Sequence, residues 1–249
     1  MKEKNVLSFF DVSKSFKKKS VLDGLTLNIS QGDIFGIVGE SGCGKSTLFK
    51  ILFDFMPLDF GHILFFGKEV TKNLKMVRTR VGFATQEDTF YHKLTVAENI
   101  AYYAKLYGIK GAALRERTEE LLKLFKLEGY EKTLAEKLSG GMKKRLGLVI
   151  SLIHDPDVFL LDEPTVGLDP ILRDEIWRWI KKINDLGKTV IVISHLFEEL
   201  ERNCSKIAIM TRGRILVVGN ADTYKRVWPE KNLNQIFESI LKKEAASNV

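Results

Sequence analysis

The apolar segment Ile34–Val38 runs straight into Gly39, Glu40, Ser41, Gly42, Cys43, Gly44, Lys45, Ser46 and Thr47, and a helical stretch follows over Ser46–Phe55. This is the G-x-x-x-x-G-K-[ST] spacing of a phosphate-binding loop, set between a buried strand and a helix. Its glycines let backbone N–H groups turn inward around phosphate oxygens, and the helix N-terminus adds a dipole that favours anions. Lys45 is expected to reach the β- and γ-phosphates, and the Ser46 hydroxyl to ligate Mg2+. Cys43 reads as a spacer whose backbone matters, with a thiol open to reagents.

Further strand-sized runs lie at Val81–Ala84, Val158–Leu161 and Val190–Ile193. Lys206–Met210 and Ile215–Val218 flank Arg212, Gly213 and Arg214 as a hairpin. Leu7–Val12, Leu25–Ile29 and His62–Phe66 read as a smaller N-terminal antiparallel β layer. Helical stretches fall at Met142–Ile153, Ile171–Asp185 and Leu196–Asn203. Strands alternating with helices imply a parallel sheet. Helical spacing without strand signal from Thr95 to Leu138 predicts a helical lobe inserted in that core, reaching to about residue 155 with the helix that follows. Residues 1–220 form the main domain in this reading. The 221–249 tail carries Leu233, Ile236, Phe237, Ile240 and Leu241 on one helix face, which suits a packed terminal helix.

Two carboxylates, Asp162 and Glu163, follow the apolar run Val158–Leu161. Asp162 is placed to hold the Mg2+ shell, and Glu163 to orient or deprotonate an attacking water. Gln86 follows one strand and His195 another, and ligands of open α/β sheets sit beyond the strands' carboxyl ends. His62, His92 and His154 lack that placement and read as structural or exposed. Ser139, Gly140, Gly141 and Met142 open a helix and make a second anion site. One nucleotide needs only one cradle from its own chain, so Ser139–Gly141 is expected to cover the γ-phosphate of a second subunit.

Composition narrows the remaining classes. Hydrophobic residues at 45% and charged residues at 29% exclude a disordered or low-complexity chain. At 249 residues the chain buries a large core without staples, and two cysteines make no disulfide framework, which fits a reducing cytoplasm. No apolar run approaches ~18 residues, and the N-terminus is a poor secretory signal. The net charge of +7 is compatible with an anionic ligand, a membrane surface or nucleic acid, and decides nothing alone.

The order of the P-loop, Gln86, Leu138–Met142, Asp162–Glu163, Gly167–Asp169 and His195 resembles the ATP-binding-cassette (ABC) ATPases over roughly Val6 to Gly219. The resemblance implies a RecA-like P-loop NTPase fold that binds ATP and Mg2+. It implies a signature motif at Ser139–Met142, a D-loop residue at Asp169 and a switch histidine at His195. It also implies a Q-loop residue at Gln86 that senses Mg2+ and the membrane partner, and an aromatic under the adenine at Phe16. Met142 stands where the family usually has Gln, and Phe16 where Tyr is commoner. The phosphate-facing Ser139 and glycines remain, and a ring still stacks. No N-K-x-D guanine motif occurs, which fits ATP.

The family reading makes the chain an ATPase subunit, peripheral on the cytoplasmic side of a membrane. Its expected partners are a second ABC ATPase subunit and a separate transmembrane permease chain, with no nucleic acid. The wording Ser139–Arg145 and the short tail look more like exporters than sugar importers. A soluble ABC ATPase of cofactor assembly or membrane-complex regulation is the alternative. A long coiled coil, as in DNA-repair members, is missing, and a small-molecule kinase is at odds with the signature and Glu163.

Overall fold

The computed structural model describes residues 4–17, 19–229 and 232–247. The chain opens with strands β1 (Asn5–Phe16), β2 (Lys19–Ser30) and β3 (Ile34–Val38), then helix α1 (Lys45–Leu52). β4 (Phe60–Phe65), β5 (Lys68–Glu69), α2 (Leu74–Arg80) and β6 (Val81–Ala84) follow. Next come α3 (Val96–Leu106), α4 (Gly111–Leu124), a 3-10 turn at Ala135–Lys137 and α5 (Gly140–Leu152). The remainder is β7 (Val158–Asp162), α6 (Pro170–Asp185), β8 (Thr189–Ser194), α7 (Phe197–Asn203), β9 (Lys206–Thr211), β10 (Arg214–Gly219), α8 (Ala221–Val227) and α9 (Leu233–Ser247). The described strands form a four-stranded sheet, β2-β1-β4-β5, and a six-stranded sheet, β10-β9-β3-β8-β7-β6. The mixed α/β class, with a parallel core sheet and a small antiparallel one, is therefore as the sequence implied. Two compact units divide the chain: Met1–Leu74 with Ile191–Val249, and Lys75–Val190.

In the first unit, every residue of β3 is buried, so the strand reads as a continuous apolar run rather than an alternating one. β3 pairs in parallel with β9, and β9 with β10 antiparallel. The expected β9–β10 hairpin turns at Arg212 and Gly213, with φ of 44° and 79°, the double left-handed backbone that matches strand twist. β1 is buried at every residue from Val6 to Phe9, and then at Val12 and Lys14. A register shift against both β2 and β4, at Asp11 with φ 52°, separates the two stretches. Lys14 is buried against Asp59 at 2.6 Å. That contact, with the Ser15 N–H, holds the Asp59 carboxyl below its usual range.

In the second unit, β6 and β7 pair in parallel. The expected helical stretch is built from α3, α4, the 3-10 turn and α5. Thr95 caps α3 in a reciprocal box with Glu98, which holds the Glu98 carboxyl below its ordinary value. His154 stacks flat on Tyr107 at 3.9 Å, and its Nε2 lies 3.2 Å from the Val81 carbonyl. Burial pushes its pKa down from 6.5 to about 4, opposed by that carbonyl. The unfolded chain thus binds a proton between these pH values that the folded one refuses. The stability tied to His154 is complete above pH 6.5 and is lost as the pH falls towards 4. A loss of about 3 kcal/mol is expected, and the urea midpoint of His154→Phe should lack that part of the acid slope.

Candidate functional site

In the first unit, Gly39–Thr47 leaves the buried end of β3 and enters α1. A Cβ on Gly39 would stand 2.1 Å from the Met210 carbonyl oxygen, and one on Gly44 2.7 Å from that of Val21. Gly42 and Gly44 hold φ of 80° and 112°, backbone that favours glycine. The Cys43 carbonyl accepts from Gly213 N at 2.9 Å, so the β9–β10 turn fixes the loop from behind. Gly39→Ala is expected to cost about 3 kcal/mol, read as a lowered urea midpoint, because backbone must move.

Lys45 is buried, and its Nζ donates to the carbonyls of Gly39 at 2.7 Å and Glu40 at 2.9 Å. The ammonium is thus held inside its own loop. Ser41, Gly42 and Ser46 are exposed, Thr47 is half-buried, and the first turn of α1 carries no acidic residue. That arrangement suits an anion at the helix start. Burial raises the Cys43 thiol pKa, against the pull of Lys45, so the expected reagent sensitivity is blunted. Phe16 ends β1 with 45% of its surface exposed, and Lys14 Nζ lies 5.8 Å from its ring centre. His195 is exposed directly after β8, where Ser194 Oγ accepts from Leu196 N at 3.0 Å.

In the second unit, Asp162 is the last residue of β7, and Glu163 follows with φ 49°. A left-handed non-glycine residue stores about 1–3 kcal/mol of strain, and such residues concentrate at functional sites. Both carboxylate residues are half-buried. Exposed Gln86 accepts at its main-chain oxygen from Lys144 Nζ at 3.0 Å. Burial lowers the Lys144 pKa, while Asp88 and Asp162 draw it back up. Lys144 is one of three consecutive basic residues in the sequence, and only the fold brings its ammonium to Gln86 and the field of Asp162.

Ser139 caps α5, its Oγ accepting from Met142 N at 3.3 Å. Ser139 and Gly140 are exposed, and a Cβ on Gly140 would meet nothing within 4 Å. Gly141 lies against Leu172, whose Cδ2 would stand 2.7 Å from an added Cβ. Asp169 caps α6 through Leu172 N at 3.0 Å, with Pro170 in the first turn. The Gly141 and Asp169 segments therefore meet at Leu172. A groove of about 450 Å³ between α4 and α6 is lined by Lys123, Lys126, Glu175 and Trp179 but by none of the expected site residues. A loop that grips phosphate with backbone N–H groups needs no deep cavity.

The family model described as "ABC transporter" matches residues 22–166. Nod factor export ATP-binding protein I of Paraburkholderia xenovorans is 36% identical over 213 residues, covering 86% of this chain and 70% of that protein. The linearmycin resistance ATP-binding protein LnrL of Bacillus subtilis is 34% identical over 209 residues, covering 84% and 67%. An ATP-binding cassette solved as a dimer in a post-hydrolysis state with ADP and Pi superposes with a TM-score of 0.78 at 26% identity, covering 86% of this chain and 98% of that one. With its phosphate loop, strand-end carboxylates and capped glycine helix in family order, the chain belongs to the ABC transporter family as an ATP-binding ATPase cassette.

Proposed function

We propose that the chain is the ATP-hydrolysing subunit of an exporter, working as a head-to-tail dimer on a separate transmembrane chain. The observation that carries the dimer is the second helix start: Ser139 and Gly140 are exposed there, and a Cβ on Gly140 would meet nothing within 4 Å. Phosphate at Gly39–Thr47 of one chain and Ser139–Met142 of its partner would then enclose one nucleotide. Phe16 stacks the adenine. Lys45 exchanges its two loop carbonyls for phosphate oxygens as ATP arrives. Glu163 takes the proton of the attacking water, and His195 and Lys45 stabilise charge on the γ-phosphoryl group. Asp169 lies beside the signature helix through Leu172 and would couple the two sites.

Ser46, Gln86 and Asp162 are the residues that would hold Mg2+. No group of three or more His, Cys, Asp or Glu side chains able to hold a metal occurs among the described residues. The hydroxyl, amide and carboxylate oxygens of Ser46, Gln86 and Asp162 are hard donors of the kind Mg2+ takes. Bound Mg2+ supplies neutralisation of phosphate charge.

The relatives named for export and for linearmycin resistance support the outward direction. No described helix is long and apolar enough to cross a membrane. Beside the Gln86 loop, Tyr91 and Tyr102 are 48% and 41% exposed, with ring centres 4.9 Å apart. This aromatic surface suits a membrane partner's cytoplasmic segment, and it supports a peripheral position on that face of the membrane. Light scattering on Glu163→Gln tests the dimer. Mg·ATP is expected to double the mass from 28.4 kDa, and an unchanged mass would sink it.

A further inference from the structure

We infer that the C-terminal helix α9 braces the switch segment, and that Phe237 is a positioning residue for His195. This rests on the role of His195 in hydrolysis proposed above. Phe197, two residues after His195, opens α7. Its ring lies 4.9 Å from that of Phe237 on α9. Leu233, Ile236 and Phe237 are all buried; the Ile240 and Leu241 side chains, which the tail's spacing puts on the same face, lie outside the described residues.

Polar contacts fix the start of α9. Asn232 and Gln235 cap it reciprocally at 2.9 and 3.0 Å, and Glu201 of α7 accepts from Leu233 N at 3.3 Å. A second anchor lies upstream, where Tyr224 donates to the Ile207 carbonyl at 2.7 Å. On its other side α7 sits on the strand that feeds the phosphate loop: a Cβ on Gly36 would stand 3.1 Å from Cys204 Sγ and 3.2 Å from Leu200 Cδ1. α7 is only seven residues long. A helix this short has little stability of its own and takes its place from what packs on it. β3 and α9 hold it from two sides, and the backbone at His195 continues directly into it. Removing the Phe237 ring frees α7 to shift, and a small misplacement of His195 is enough to slow the reaction.

The test is steady-state Mg·ATP hydrolysis by the full chain. Phe237→Ala is expected to lower kcat about fivefold at unchanged KM, and Phe237→Leu to restore most of it. In a His195→Ala background the same change should have no further effect, which a general loss of folding would not reproduce. If Phe237→Ala does not fold, Glu201→Gln loosens the cap alone and is expected to lower kcat about twofold. Unchanged kcat in the folded variant overturns the brace. So does a loss of activity matched by an equal loss of ATP-binding sites. A parent chain that His195→Ala does not slow would instead overturn the proposed role of His195.

Discussion

Glu163→Gln lowers ATP hydrolysis by about 10²-fold or more while leaving ATP binding in place. Gln has the shape of Glu, so it inherits the left-handed backbone at φ 49° without new steric conflict. It keeps a carbonyl oxygen that can orient water but cannot take its proton. The phosphate loop and Lys45 are not altered, and these are the groups expected to set affinity. Single-turnover assays with labelled ATP separate the two effects. Loss of binding together with turnover would mean that Glu163 supports the fold rather than the proton transfer.

Ser139→Arg blocks hydrolysis to a similar degree, about 10²-fold, by a different route. The hydroxyl that caps α5 is lost, which costs about 1 kcal/mol of helix stability. The larger effect is steric. A guanidinium replaces a small, exposed side chain at the surface proposed to close on a partner's γ-phosphate. The same chain's phosphate loop belongs to the other compact unit and keeps its own contacts. Nucleotide affinity measured by titration should therefore stay within about twofold. Persistent hydrolysis would show that Ser139–Met142 does not complete a site across subunits.

The phosphate loop was legible in the sequence because its chemistry fixes residue types at fixed spacing. β3 was legible because burial on both faces leaves an unbroken apolar run. The β9–β10 hairpin was legible from Gly213 between two apolar segments. Helix ends were less so. α1 stops at Leu52 rather than Phe55, and Asp54 turns left-handed with φ 58°. α5 begins at Gly140 rather than Met142, because the Ser139 cap outweighs the poor helix propensity of two glycines. The register shift in β1 was hidden, since it depends on the partner strands. At the site, residue identities were legible but not their conformations. Nothing in the sequence around Glu163 announces positive φ, and nothing marks Lys144 out from its basic neighbours. The link from Phe237 to the segment after His195 joins residues 40 apart and exists only once α7 and α9 pack.

The central claim is that this ATPase drives a membrane chain. Purification of the tagged protein from detergent-solubilised membranes of its native cells, with partners identified by mass spectrometry, tests it most directly. The account predicts a polytopic membrane protein at a fixed ratio to the cassette. A soluble partner in its place, or the cassette alone, would contradict it.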